Sequence, residues 1–307
     1  MIDLHLHSQY SEDGEYSPEE LVRQCYQKGV RILSITDHNC ARANEAALKA
    51  AKRKDMDYIP GIEIDCVHTG NNLHILGYDI DFHSPDFQKL EAYVNEQNLR
   101  VSLETLEKTQ TLGFHITEGD MWALSKDRYW KEAWTGEMFA EVLLEKPEYA
   151  DHPILQPYRP GGKRGGNPLL NFYWDYYSQG KCCYVPRNYP TAEKIIDVIH
   201  RNHGIAVLAH PGLSLRGREN LLDDILELGI DGVEAFSSYH TSAQTDYFVR
   251  YAKEKKRIIT CGSDFHGKIK PLIEIGQHHC SMPDEELYER TERVLERGLK
   301  TRYISPK

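Results

Sequence analysis

Two histidines one residue apart, His5 and His7, lie in and directly after the first predicted strand of the chain, residues 2–6 (IDLHL). Side chains alternate between the two faces of a strand, so both imidazoles lie on one face, about 7 Å apart along it. Two imidazoles placed in this way can bind one metal ion, and Asp13 adds a carboxylate nearby. Taken alone, the pair also fits two surface histidines on an edge strand.

Residue types that bind metals recur at or near the ends of most other predicted strands. In a β/α barrel the carboxyl ends of the strands converge on one face of the domain, and active sites lie on that face. Histidines scattered through a core would not recur at that position, so the pattern predicts a polynuclear metal site. The candidate ligands are His5, His7, Asp13, His38, Glu63, His74, His210, Asp264 and His266.

The types of these residues restrict the metal. Imidazole and carboxylate ligands without cysteine favour Zn²⁺, Mn²⁺ or Fe²⁺ over Ca²⁺ or Mg²⁺. Six histidines and three carboxylates are too many for one ion, so two or three divalent ions are expected. Three dications held by three carboxylates keep a strong positive charge, which predicts an anionic phosphate as the substrate. Bound metal also lowers the pKa of water, which supplies hydroxide near neutral pH.

The elements that must position these residues alternate along most of the chain of 307 residues. Strand, helix and strand repeated in this way predict a largely parallel sheet or a closed β/α barrel. The predicted strands are 2–6, 31–36, 57–65, 73–80, 205–209, 231–236 and 257–263. The predicted helices are 17–29, 41–54, 86–112, 191–203, 218–229, 242–256 and 284–298. The alternation stops between about 81 and 190, where aromatic-rich segments and a Gly/Pro/basic loop at 157–168 predict a mostly helical insertion.

The composition excludes some classes of protein. The net charge of −10 argues against a protein that coats nucleic acid or membrane through bulk charge. No secretory signal is recognisable, and no apolar stretch approaches the length of a membrane span. The seven cysteines are scattered without a C-x-x-C pair, which is typical of reduced thiols and predicts a cytoplasmic protein.

Seven motifs resemble those of the PHP family, the polymerase and histidinol phosphatase phosphoesterases. They are DLHLHS, SEDG, SITDHN, PGIEID, LHILGY, VLAHPG and GSDFHG. The segments YVPRNYPTAEKIIDVIHRNHGIAVLAHPG and VEAFSSYH resemble the TrpH-like branch more particularly. The resemblance implies a distorted seven-stranded, TIM-like β/α barrel from residues 1–80 and 191–307. The helical insertion at 81–190 would then cap the site and select the substrate.

The resemblance also assigns the candidate ligands to three ions. His5, His7, Glu63 and Asp264 would hold the first ion. Asp13, His38 and His266 would hold the second. Glu63 would be shared with the third ion, which His74 and His210 complete. All nine positions carry suitable residues, so an intact centre is expected.

One departure from the family pattern concerns substrate binding. Many TrpH-like members carry an Arg-x-His pair at the start of a helix in the insertion, and Gly136 and Met138 stand at the corresponding positions here. Substitute cations are expected either from the loop with Arg159, Lys163 and Arg164 or from Arg187. The alternatives are that the basic loop is solvated without a role at the site and that Arg187 forms a structural ion pair.

Other candidates lie beside the predicted ligands. His240 follows the strand at 231–236 and is predicted to contact phosphate or to protonate the leaving oxygen. Asp3 and Asp37 neighbour ligand histidines and are expected to orient imidazole rings, although Asp37 could equally cap a helix.

The predicted function is hydrolysis of a phosphomonoester by attack of a metal-bridging hydroxide. The resemblance implies a nucleotide or a short 5'-phosphorylated oligonucleotide as substrate. The net charge and the absence of a long apolar stretch predict neither a membrane nor a stable nucleic-acid partner. Two alternatives stay open. An amidohydrolase-like metal hydrolase also places His-x-His on a first barrel strand, but it commonly uses a bridging modified lysine, and no lysine ends a predicted strand. The other alternative is a metal-binding regulatory module without turnover.

Overall fold

A computed structural model describes residues 1–283, 286, 287 and 289 of the chain. The described strands are β1 (Ile2–Leu6), β2 (Ile32–Ile35), β3 (Asp57–Tyr58), β4 (Gly61–His68), β5 (Asn71–Tyr78), β6 (Ile205–Leu208), β7 (Gly232–Ser237) and β8 (Ile258–Gly262). The described α-helices are α1 (Pro18–Gln27), α2 (Ala43–Lys52), α3 (Pro85–Gln110), α4 (Glu118–Ser125), α5 (Gly136–Glu145), α6 (Pro168–Tyr176), α7 (Ala192–Arg201), α8 (Pro211–Ser214), α9 (Leu221–Glu227) and α10 (Ser242–Glu254). The helix predicted at 284–298 lies outside the described residues, apart from positions 286, 287 and 289.

The strands form two sheets, with the orders β1-β2-β3 and β4-β5-β6-β7-β8. Neighbours pair in parallel except around β5, which is antiparallel to both β4 and β6. The mixed α/β fold predicted from the sequence is therefore confirmed. Isolated bridges from Leu6 to Phe265 and from His38 to Glu63 connect the two sheets.

The expected single barrel of seven strands differs from the observed sheets. The segment predicted as one strand, 57–65, is two strands in the structure, because Pro60 lies between them and has no N–H to donate to a ladder. Before this break, β3 pairs with β2, and after it, β4 pairs with β5 as a hairpin. The regular ladders consequently form a three-stranded and a five-stranded sheet that do not close on each other.

Helices that cover the sheets follow the expected amphipathic pattern. In α1, Ser17 caps the first turn by accepting from the Glu20 N–H, Pro18 occupies the first helical position, and the inward face buries Leu21 and Val22. In α7, Thr191 caps the helix, and Ile195, Ile196 and Ile199 share the buried face. These faces pack on strands whose inward side chains are fully buried, which makes the sheets a rigid support for the residues that follow them.

The segment between β5 and α7 consists of helices α3 to α6 with short 3-10 turns. It has a hydrophobic cluster of its own, in which Trp134, Met138, Phe139 and Phe172 are almost fully buried. Trp134 and Trp122 pack edge to face with ring centroids 5.2 Å apart. Most aromatic residues of the segment therefore belong to its hydrophobic core or pack against it.

Among the described residues, no helix combines the length and the apolar character that crossing a bilayer requires.

Candidate metal centre

The ends of the strands turn into the centre through unusual backbone conformations. His210 lies two residues after β6 and has φ 25°, and Asp264 lies two residues after β8 and has φ 58°. Positive φ is uncommon for residues other than glycine and is maintained where the surrounding structure requires it. At Gly262 a Cβ would lie 2.1 Å from the Cβ of His5, so only glycine lets β8 approach β1 this closely. These features bring the first and last strands of the sheets together at the centre.

The first group of candidate ligands joins β1, β4 and the end of β8. His5 Nε2 lies 3.0 Å from Glu63 Oε2 and 3.1 Å from Asp264 Oδ1. His7 Nε2 lies 3.2 Å and 2.9 Å from the same two oxygens. One ligand atom from each of these four buried residues lies within 4.8 Å of every other. The structure thus brings together the whole set expected for the first ion.

Two further groups share residues with the first. Asp13, His38 and His266 gather around His7, and His266 Nε2 lies 3.1 Å from Asp13 Oδ2. In another group, Glu63 Oε1 lies 2.9 Å from His74 Nδ1 and 3.1 Å from His210 Nε2.

Glu63 therefore faces two groups at once, with one carboxylate oxygen toward each. All nine candidate ligands meet in one region.

Four buried side-chain atoms that could coordinate a metal ion make no hydrogen bond. They are His7 Nε2, Asp13 Oδ1, His38 Nδ1 and Asp264 Oδ1. His7 Nε2 and Asp264 Oδ1 lie 2.9 Å apart without hydrogen-bond geometry, as two ligands directed at a common point would. Buried polar atoms are rarely left unpaired, so these atoms fit coordination of metal ions. The nitrogen and oxygen donors fit Zn²⁺, Mn²⁺ or Fe²⁺.

Burial and neighbouring charges shift the pKa values of several candidate ligands. Burial lowers the pKa of His7 to about 4, and the neighbouring His266 and His38 act in the same direction. Burial alone would raise the pKa of Glu63, but His5 and His38 outweigh it and hold this pKa well below the usual value. A neutral His7 and an ionised Glu63 are the protonation states that metal binding requires.

Several histidine rings are held by partners on their second nitrogen. Glu234 Oε1 lies 2.9 Å from His5 Nδ1, and the Ser11 and Ser214 hydroxyls lie 2.8 and 3.0 Å from Nδ1 of His7 and of His210. Such partners fix the tautomer and the direction of a metal-binding imidazole.

Glu234 was not predicted as a site residue. The sequence could have indicated it, because Glu234 is a charged residue in the middle of the apolar strand β7. In the structure its side chain is completely buried.

Asp3 and Asp37 do not orient imidazole rings as expected. Asp3 accepts from the backbone N–H groups of Ser263 and Gly276, at 2.9 and 2.7 Å. Asp37 accepts from the backbone and the hydroxyl of Ser8. Both carboxylates thereby fix the loops that carry the candidate ligands.

Three further residues at the centre were missed. Asp65 Oδ1 lies 3.0 Å from His74 Nε2, and the two-residue period that joins it to Glu63 on β4 could have identified it. Lys270 Nζ and the Tyr239 hydroxyl lie 2.8 and 2.6 Å from Asp264 Oδ2. Neither carries a local sequence signal, since each reaches Asp264 only through folding of its loop.

The centre lies in a cavity of about 560 Å³, within the size range of ligand pockets. Its lining includes Asp13, His38, His74, His210 and Asp264, and residues of the helical segment from Trp134 to Tyr177. The segment predicted to cap the site therefore contributes part of the wall.

His240 is not among the residues that line this cavity. Its Nδ1 lies 2.9 Å from the Ala235 carbonyl, and its Nε2 accepts from the Gly212 N–H at 3.0 Å. Burial lowers the pKa of His240, which favours the neutral ring. Because both nitrogens bond to backbone and the ring is outside the cavity lining, this geometry does not support the predicted contact with phosphate or protonation of the leaving oxygen.

The basic loop also lies elsewhere. Arg159 donates to the carbonyls of Leu144 and Tyr149, Arg164 pairs with Asp175 at 2.9 Å, and neither these arginines nor Lys163 line the cavity. The two arginines consequently stabilise the helical segment itself.

Arg187 does line the cavity, but its Nη1 lies 2.8 Å from Glu12 Oε1. Burial alone would lower the pKa of Arg187, and Glu12 outweighs it and raises this pKa above the usual value. The contact between Arg187 and Glu12 is therefore the structural ion pair given above as the alternative to phosphate binding.

The start of α5 differs from an anion-binding helix end. At Gly136 a Cβ would lie 2.7 Å from Tyr177 and 2.8 Å from Tyr173, so these rings fill the space that a larger side chain would need. Glu137 lines the cavity here and is buried, and burial raises its pKa to about 7, with Asp13 acting in the same direction. Met138 is buried in the core of the helical segment.

Comparison with known proteins agrees with this arrangement. The family model described as PHP domain matches residues 3–156. The chain belongs to the PHP domain family. The match begins at the first strand and includes six of the nine candidate ligands, from His5 to His74.

Relatives extend the similarity over most of the chain. The 5'-3' exoribonuclease Rnm of Escherichia coli strain K12 is 31% identical over 285 residues, which cover 90% of this chain and 88% of the relative. The 3',5'-nucleoside bisphosphate phosphatase of Chromobacterium violaceum is 26% identical over 270 residues, covering 86% of this chain and 87% of the relative. A solved structure of an amidohydrolase from Chromobacterium violaceum with bound sulfate has a TM-score of 0.74 at 24% identity, covering 94% and 96% of the two chains, which shows a shared fold.

Proposed function

We propose that this metal-dependent phosphoesterase hydrolyses a phosphoester of a nucleotide or of a 5'-phosphorylated oligonucleotide. The observation that carries the proposal is the convergence of four buried side-chain atoms without hydrogen-bond partners beside one cavity, which is also lined by cationic side chains. Relatives that cleave an RNA chain and a nucleoside bisphosphate support a nucleotide as the substrate class.

The nine predicted ligands are proposed to hold two or three divalent ions. Bound dications would supply Lewis-acid polarisation of the phosphoryl oxygens and would lower the pKa of water. Glu63 would bridge two of the ion sites, and Glu234 would keep His5 in the tautomer that directs Nε2 to the metal. Lys270 and Tyr239 would hold Asp264 Oδ2, so that Oδ1 is directed to the ion shared with His5 and His7.

The helical segment at 81–190 is proposed as a capping domain on a catalytic domain formed by residues 1–80 and 191–307. Its separate hydrophobic cluster and its contribution to the cavity wall support this division. Tyr173 and Trp174 would then limit which substrates reach the centre.

The test is release of phosphate or of mononucleotides by protein loaded with Mn²⁺. The panel contains adenosine 3',5'-bisphosphate, 5'-AMP, 5'-phosphorylated oligoribonucleotides, histidinol phosphate and a generic aryl phosphate. His38→Ala removes a predicted ligand, and His83→Ala, at an exposed histidine outside the cavity, is the matched control.

Turnover of a nucleotide that is lost only in His38→Ala supports the proposal. Turnover of the aryl phosphate alone would place the substrate outside the nucleotides. No turnover by protein that retains metal in elemental analysis would contradict the proposal and favour a metal-binding module.

A further inference from the structure

Four cationic side chains line the cavity, and they differ in how their charge is balanced. Arg187 is paired with Glu12, and Lys270 is paired with Asp264. Arg216 and Arg218 have no carboxylate within salt-bridge distance among the described residues. An arginine without an acidic partner keeps its positive charge available for an anion.

Both unpaired arginines are exposed at the rim of the cavity and are held in place by neutral partners. The Arg216 guanidinium lies 3.8 Å from the centroid of the Trp174 ring, and its Nε donates to the Leu213 carbonyl at 3.1 Å. Arg218 donates through Nη1 to the Asn71 side chain and through Nε to the Leu215 carbonyl. These contacts orient the guanidinium groups but leave their charge uncompensated.

The loop that carries these arginines is fixed in a specific turn. Arg216 has φ 45° and Gly217 has φ 82°, so two consecutive residues adopt left-handed conformations. A residue other than glycine in this region indicates a conformation that its surroundings enforce. Burial lowers the pKa of Arg216, and the nearby positive charge of Arg218 acts in the same direction. Two uncompensated positive charges placed close together favour an anion between or beside them.

We propose that Arg216 and Arg218, supported by Trp174, form an anion subsite at the rim that binds a second phosphate of the substrate. This inference rests on the proposed function, because the first phosphoryl group must be the one at the metal centre. A second phosphate occurs in a nucleoside bisphosphate as a terminal monoester and in an oligonucleotide as the next diester. Both present at least two nonbridging oxygens, which two guanidinium groups recognise through paired hydrogen bonds.

The test compares the wild type with the double variant Arg216→Met/Arg218→Met. Lys163→Met is the matched control, because Lys163 is an exposed cation outside the cavity. Activity is measured on adenosine 3',5'-bisphosphate and the 5'-phosphorylated dinucleotide pApA, which carry two phosphates. The single-phosphate substrates are 3'-AMP and an aryl phosphate. Melting temperatures establish that each variant is folded.

The expected result is a KM increase of at least tenfold for substrates with two phosphates, with kcat changed less than twofold. The single-phosphate substrates should retain the wild-type kcat/KM, and Lys163→Met should behave as wild type throughout. A KM increase confined to the bisphosphate or to the dinucleotide supports the subsite and identifies its natural source. Unchanged KM values for both, or equal increases for one-phosphate and two-phosphate substrates, would overturn the proposal.

A second readout separates this proposal from the proposed function. Binding of fluorescently labelled pApA to metal-free protein, followed by fluorescence anisotropy, does not require turnover. The double variant should bind at least tenfold more weakly than the wild type and Lys163→Met. If the wild type hydrolyses none of the nucleotides but still shows this difference, the proposed function fails while the subsite stands. Equal binding by all three proteins would reject the subsite even in an active enzyme.

Discussion

Replacement of Glu63 by glutamine tests whether the centre contains two ion sites that share one carboxylate. Glu63 Oε2 faces His5 and His7, and Oε1 faces His74 and His210. The substitution preserves size but exchanges one oxygen for an NH₂ group, which cannot coordinate a metal, and it removes the negative charge.

Glu63 belongs to two of the ligand groups, whereas Asp13 belongs to one. Glu63→Gln is therefore expected to lose about two ions per chain and Asp13→Asn about one, if the wild type holds three. Substitution of residues that merely orient ligands costs about 10–100-fold in metal affinity, so loss of a ligand itself should cost at least as much at each site. Hydrolysis should fall at least roughly 100-fold, because the charge that stabilises the developing oxyanion is lost.

The assay is metal content per chain by elemental analysis after dialysis, together with kcat/KM for the best substrate of the panel. Glu91→Gln is a matched control, since Glu91 is a largely buried glutamate that pairs with Arg42 outside the cavity. Equal metal loss in Glu63→Gln and Asp13→Asn would refute the shared carboxylate. Wild-type metal content in Glu63→Gln would refute the role of Glu63 as a ligand altogether.

Three further substitutions test other parts of the cavity. Lys270→Met removes a cation that holds Asp264 Oδ2, and we expect metal affinity to fall about 10–100-fold in a titration, with Lys268→Met, at an exposed lysine, unchanged. Glu137 has a pKa raised from 4.5 to about 7, so in metal-free protein it destabilises the fold increasingly as pH rises through that interval. Chemical unfolding should show Glu137→Gln gaining up to about 3 kcal/mol over the wild type between pH 5 and pH 8, and a pH-independent difference would contradict this. In Gly136→Arg the new side chain would clash with the rings of Tyr173 and Tyr177, so the free energy of unfolding should fall by about 1–3 kcal/mol and the KM for substrate should not decrease. A lower KM without loss of stability would show that the two rings move aside and that the arginine binds substrate.

Most elements were predictable because their patterns are local. The strand at 2–6 and the helices capped by Ser17 and Thr191 begin where the sequence predicts, since an N-cap is a short-range signal. The division into two sheets was not predicted, because it depends on which partner β4 takes after Pro60. That choice is a long-range pairing without a local sequence signature.

The candidate ligands were predictable for a different reason. Residues that follow parallel strands meet at one edge, so their positions in the sequence indicate their proximity in space. The family and the phosphoesterase activity predicted from these motifs are confirmed by the comparisons. The residues that hold the ligands were largely missed, because Lys270 and Tyr239 reach Asp264 through loops whose paths the sequence pattern does not indicate.

The candidate metal ligands and the residues proposed to select the substrate come from different parts of the chain. All nine candidate ligands follow or lie in the strands of the two sheets, whereas Tyr173 and Trp174 come from the helical segment and Arg216 from a loop beyond α8. The ligands are constrained by one another, since a change at Glu63 disturbs two groups at once. The rim residues are constrained by fewer contacts, since Arg216 is oriented by the Trp174 ring and one backbone carbonyl. Under the proposed function, a change at the rim would therefore alter substrate preference without disturbing the candidate ligands of the centre.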